Sequence, residues 1–214
     1  RPVHLNRIFR ERGWLTIKDE LGREMIDLGA SRAFAIADHQ VAHVYVNDAE
    51  IMDEVESLME STDGVEEVLS RGRLEDAGIN HWRSGDLVAV ADADSWFTYY
   101  YWMDDRVAPD YARCVDIHRK PGYDPVELFM DPAIRFPRLK LAKRLAAKKL
   151  GMRTLMDFIP LDAGLVRGSH GREPENKMDW PILAGAFKDL PKNGELPATE
   201  VFGQLLRLCS RPSS

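Results

Sequence analysis

Cysteine is scarce in this chain: two residues in 214, Cys114 and Cys209, with no CxxC spacing. That excludes a disulfide scaffold and a cysteine-rich zinc module, and it fits a reducing compartment, so a cytoplasmic location is expected. Long hydrophobic runs are missing too. Leu87-Val88-Ala89-Val90-Ala91 is among the longest, far short of the ~20 residues of a membrane span, so no spanning helix is expected. Positive charge is in deficit, with 29 Lys and Arg against 35 Asp and Glu and a net charge of −6. A nucleic-acid polymer is therefore a poor partner, and any anion site must be a local cluster. Proline (12) and glycine (15) stand at ordinary levels, which excludes collagen and general disorder. The chain opens on Arg1-Pro2-Val3-His4 without Met or a secretory h-region, which leads us to expect a piece of a longer polypeptide.

What remains is an ordinary globule: 44% hydrophobic and 30% charged residues, of a length for one large domain or one with a small insertion. Leu5, Ile8 and Phe9 share a helical face between Val3 and Arg12, and Gly13 is a stop signal. Trp14 to Lys18 and Arg23 to Asp27, joined through Leu21-Gly22, read as a hairpin. Phe34–Ala37 and Val41–Val46 read as strands. Asn47-Asp48 caps an amphipathic helix over 49–60, carried by Ile51, Val55, Leu58 and Met59. A strand at 65–69, a short helix at 74–77 and a buried strand at 86–91 complete a β-α-β piece, which needs a sheet to lie on.

Residues 95–102, SWFTYYYW, read either as a buried strand or as a stacking surface for a planar ligand. Residues 104–137 are an irregular, Asp- and Pro-rich excursion. Pro137 opens a helix to Leu150 with five cations around Leu141 and Leu145: a solvated basic face, or a surface for an anionic partner. An apolar connector (152–160), a Gly- and His-containing loop (161–177), a buried strand at Pro181–Ala184 and a helix from Pro197, with Val201, Leu205 and Leu208 inward, close the chain.

Six histidines are present: His4, His39, His43, His81, His118 and His170. His39 and His43 have a zinc spacing only on a helix, whereas the valines around them argue for a strand, where four residues span ~13 Å. Asp38-His39 has the form of a metal-binding couple, but a hydrogen-bonded structural histidine at a strand entrance is the simpler reading. His170 differs. It stands in Gly168-Ser169-His170-Gly171, where glycines let the backbone turn tightly around a ligand, and a neutral imidazole there suits zinc.

Gly168-Ser169-His170-Gly171 followed by Pro181-Ile182-Leu183, together with Ser31–Asp48 (SRAFAIADHQVAHVYVND), Gly64-Val65-Glu66 and Gly85-Asp86-Leu87-Val88, resembles the type I phosphodiesterase/nucleotide pyrophosphatase family of the alkaline phosphatase superfamily. The resemblance implies an α/β fold: a partial alkaline-phosphatase-like sheet with a small α+β (β-α-β) subdomain. We divide the chain into a connecting helix and hairpin (1–30), a small α/β subdomain (31–103), the Pro-rich excursion with the basic helix (104–160) and a C-terminal part of the catalytic core (161–214). The resemblance also implies a two-metal zinc site, with His170 as a ligand of one ion. The family's nucleophile, first metal-binding Asp, Asp-x-x-x-His pair and Asp-His couple are expected upstream of Arg1. Asp38 and His39 are not assigned to that couple, since they fall at a strand of the smaller subdomain. This chain is therefore expected to need the N-terminal half of its parent and to be inactive alone.

In the excursion, Arg119 and Lys120 could meet a phosphate and Tyr123 could stack on a leaving group, so these three are the candidate contacts to a phosphorylated small molecule or nucleotide. The competing reading is a packed loop whose charges pair internally. Two further function classes stay open: a non-catalytic α/β ligand-binding or assembly module, with homodimerisation through an exposed sheet face, and another branch of the superfamily such as a phosphonate hydrolase, sulfatase or phosphomutase.

Overall fold

The computed structural model of the chain describes residues 1–115, 120–184 and 194–209. They fall into two compact units, Arg1–Glu173 and Pro174–Ser214. The first unit runs β1 (Pro2–Val3), α1 (Leu5–Glu11), β2 (Thr16–Glu20), β3 (Arg23–Asp27), β4 (Ala33–Asp38), β5 (Val41–Val46), α2 (Met52–Glu60), β6 (Val65–Leu69), α3 (Arg71–Asp76), β7 (Leu87–Ala91), β8 (Trp96–Phe97), β9 (Gly122–Tyr123) and α4 (Pro137–Lys149).

Strict alternation in β4 and β5 buries Ala33, Ala35 and Ala37 on one strand and Ala42, Val44 and Val46 on the other, as period-two patterning requires. These strands form the middle of a five-stranded sheet in the order β6-β7-β5-β4-β9. β7 runs antiparallel to both β5 and β6 and lies between them. The expected β-α-β piece is thus split: β5 and β6 point the same way, joined by α2, with β7 inserted between them. Val55 and Met59 are buried on the inner side of α2, and Ile51 in the turn that leads into it.

Small residues along β4 let α1 approach closely, and one amide exploits that approach. The side chain of Asn6 donates to the Ala35 carbonyl and accepts from the Ala35 N–H, both at 2.8 Å. It thereby pairs backbone groups that β9, which reaches only Ala37 and Asp38, leaves uncovered. A buried strand edge would otherwise cost free energy for each unmade bond.

The aromatic run is buried from Trp96 to Trp102, but only Trp96 and Phe97 form a strand, parallel to β1. Tyr99, Tyr100, Tyr101 and Trp102 pack edge-on and tilted against one another, with centroids 4.4–5.7 Å apart. This is core packing, worth roughly 0.5–1.5 kcal/mol per ring pair beyond buried area.

The second unit carries α5 (Ala198–Cys209) and a one-turn 3-10 helix at Lys177–Asp179. Asn176 caps that turn through the Met178 N–H, and the Trp180 indole donates to the Pro174 carbonyl. Pro181–Ala184, expected as a buried strand, forms no ladder, and Ile182 is 90% exposed. A four-residue apolar run without periodicity does not distinguish a strand from a loop. Leu205, expected inward on α5, is exposed.

Candidate functional site

The sheet brings residues 38–40 and 168–172 together at one point. β4 turns into β5 through His39 and Gln40, and His39 sits in the left-handed region with φ 57°. Among non-glycine residues that conformation costs on the order of 1 kcal/mol and persists only where its surroundings fix it. Here they do. The His39 carbonyl accepts the Phe97 N–H at 2.7 Å, and His39 Nδ1 lies 3.0 Å from the Ser169 hydroxyl, 130 residues away in the chain. Gln40 is held as firmly: its N–H donates to the His170 carbonyl and its carbonyl accepts from Ala91, while its side-chain amide donates to the carbonyls of Asp92 and Ser95.

The partner segment is fastened to the same sheet end. Gly171 has φ 118°, and a Cβ there would lie 3.3 Å from Val41 Cγ2. Arg172 makes a two-armed ion pair with Glu66 of β6, one arm at 2.7 Å. Between these anchors the imidazoles of His39 and His170 stack, with centroids 3.8 Å apart and planes at 28°. His39 is buried and His170 exposed. Burial, then the neighbouring His170, depress the pKa of His39, while Asp38 opposes the shift. Burial thereby favours the neutral ring over the imidazolium.

Asp38, the last residue of β4, is exposed beside this stack and pairs in register with Tyr123 of β9. Gly122 makes that pairing possible: with φ 124°, it approaches Ala37 so closely that a Cβ would fall 2.6 Å from the Ala37 carbonyl oxygen. Among the described residues, no group of three or more His, Cys, Asp or Glu side chains is placed to hold a metal ion.

The site thus joins a residue named from the sequence, His170, to one that had been set apart. Asp38-His39, read from the sequence as lying at a strand of the smaller subdomain, stands at the end of β4, and its turn lies against the Gly168–Gly171 loop. The available signal was an Asp-His pair directly preceding an alternating strand. His43, by contrast, is a structural histidine on β5, where Nδ1 accepts the Gly85 N–H at 3.1 Å.

Of the three candidate phosphate contacts, Arg119 lies outside the described residues, and Tyr123 is placed through its backbone alone. Lys120 does not face a ligand. Its side chain is 1% exposed and paired at 2.7 Å with Glu127, itself 4% exposed, and it donates to the Ala112 carbonyl. A cation removed from water needs such a partner. The internally paired loop is the correct reading for this residue. Asp124, next to β9, caps the Val126 N–H at 2.9 Å and is raised to about 7, chiefly by burial.

A cavity of about 610 Å³ opens elsewhere in this unit, lined in part by His4, Arg7, Tyr100 and Asp105. Burial lowers His4 to about 4. Arg7 is engaged by the Trp102 carbonyl and Asp105 by the Trp102 indole, so these two charged groups of its wall already have partners.

The family model for Type I phosphodiesterase / nucleotide pyrophosphatase matches residues 1–124. No curated protein matches the chain. Among solved structures, phosphonoacetate hydrolase from Sinorhizobium meliloti 1021, crystallised with phosphonoacetate, is similar at 17% identity and a TM-score of 0.35, over 46% of this chain and 24% of that one. The similarity therefore spans about a quarter of the hydrolase chain.

Proposed function

The chain belongs to the type I phosphodiesterase/nucleotide pyrophosphatase family, and from that premise we propose that it forms part of a metal-dependent hydrolase of phosphoric esters or anhydrides, supplying Asp38, His39 and His170 to a two-zinc site. The observation that carries this reading is the His39–His170 stack. The stack puts two imidazoles from distant segments of the chain at one point, and histidine rings gathered in this way are donors that a two-zinc site draws on. A zinc pair would polarise the phosphoryl oxygens and lower the pKa of the attacking group.

The residues of this chain prepare that chemistry. Ser169 fixes the plane of His39, in the manner of the hydrogen-bonded residues that commonly orient metal-binding histidines. Burial favours the neutral His39 ring. Arg172 and Gly171 seat the loop that presents His170. A catalytic zinc needs three protein ligands, and three residues for two ions fall short. These three residues are therefore one part of the ligand set, and completing it needs further ligands and a nucleophile. Arg119 and Tyr123 remain our candidates for contact with a phosphorylated small molecule or nucleotide, since the register of β9 puts Tyr123 beside Asp38. Lys120 is withdrawn from that role. A reducing, cytoplasmic setting suits the thiol of Cys114, which is buried and not in a disulfide.

Hydrolysis of bis(p-nitrophenyl) phosphate by the longer protein in zinc tests the reading. Ser169→Ala should cost roughly 10–100-fold, the usual effect of removing a residue that orients a metal ligand. His39→Ala and His170→Ala should each cost more and lower the zinc content. Unchanged rate and zinc content in His170→Ala would remove that residue from the site.

A further inference from the structure

Helix α4 is amphipathic with its faces reversed. Lys140 and Arg144 turn inward to Asp157, at 3.0 and 2.9 Å, while no residue of the helix is buried. Leu141 and Leu145, one turn apart, face outward, 39% and 51% exposed, and Leu139 is exposed on another side of the helix. Exposed Phe136 precedes them, and exposed Leu150 and Met152 follow. Arg138, Lys148 and Lys149 edge the Leu141–Leu145 ridge; they and Lys143 form no ion pair among the described residues, and no acidic residue occurs between Arg135 and Arg153. A helix surface that combines leucines with unpaired cations is complementary to something both apolar and anionic.

We propose that α4 is a docking face for an anionic lipid surface, lying in the headgroup layer with its leucines inserted and its lysines on the lipid charges. The charges decide between occupants. A second copy meeting the helix through its own α4 would set like charges together. Meeting it through the acidic outer side of α2, where Asp53, Glu54 and Glu60 are exposed, it would press leucines against carboxylates. A bilayer containing acidic phospholipid answers both parts of the helix, since apolar insertion and attraction to surface charge act together in such helices. No described helix is long and apolar enough to cross a membrane, so the contact is peripheral.

Co-sedimentation of the 214-residue chain with vesicles of phosphatidylcholine, with and without phosphatidylserine, tests this. Binding is expected only to the phosphatidylserine vesicles and should weaken with salt. Lys148→Glu/Lys149→Glu should reduce partitioning by on the order of tenfold or more. Leu141→Asp/Leu145→Asp should abolish it, with circular dichroism unchanged because the helix buries nothing. No binding, equal binding to neutral vesicles, or binding indifferent to both variants would overturn the proposal. Self-association that the leucine variant alone abolishes would also overturn it, by making a second copy the cover.

Discussion

Helices α2 and α4 follow the same periodic logic and end in opposite situations. In α2 the apolar stripe is turned onto the sheet, with Val55 and Met59 fully buried and Asp53, Glu54 and Glu60 left to water. In α4 the polar side is turned inward, onto Asp157, and the leucines face out. A periodic pattern thus shows that a helix has two sides; the neighbour it meets determines which side is covered. For α2 that neighbour is β6 of the same sheet. For α4 it is the Asp157–Phe158 segment, whose carboxylate takes Lys140 and Arg144 and whose ring lies 5.0 Å from the Lys140 amine.

The contrast breaks first under truncation of side chains. Met59→Ala should cost about 2–5 kcal/mol, because a buried methionine leaves both lost transfer energy and a cavity. Leu145→Ala should fall within about 0.5 kcal/mol of the parent. Urea unfolding of the two variants checks this, and comparable losses would mean that α4 is as firmly covered as α2.

A smaller effect comes from the loop that brings β9 to the site. Asp124 is raised to about 7 by burial, with Glu127 adding to the shift, while Lys120 and the Val126 N–H oppose it. The folded state therefore holds a proton that the unfolded chain gives up near pH 4. Its contribution is full below that point and is lost as pH rises through about 7. Asp124→Asn keeps the cap without the ionisation. It should raise stability at pH 8 by of order 1–3 kcal/mol relative to the parent, and the gain should shrink toward pH 4. A difference constant across that range would show that ionisation of Asp124 is not the cause.

Periodic segments were the legible ones. β5 and α2 stand where the alternation of Val41–Val46 and the spacing of Ile51, Val55 and Met59 placed them. β9 was not legible, because its two residues owe their place to the tight approach of Gly122 to Ala37 rather than to any pattern. The glycines flanking Ser169-His170 were read as a tight turn around a ligand; in the structure Gly171 packs against Val41 and Gln40, a neighbour that no local pattern names for this loop. His39 was missed as its partner because the left-handed turn at His39 and the closure across 130 residues to Ser169 are products of the assembled sheet. Lys120 was misread for a related reason: a lysine in a loop is ordinarily solvated, and only the folded loop reveals Glu127 closing over it.

The most direct test of the site is a zinc titration of the 214-residue chain followed by long-range 1H–15N correlation of its histidine rings. The expected result is that His39 and His170 respond together, at the same zinc concentrations, while His43 and the exposed His81 keep their shifts. If His170 responds without His39, or neither moves before His81 does, the two stacked imidazoles are not a shared metal-binding pair.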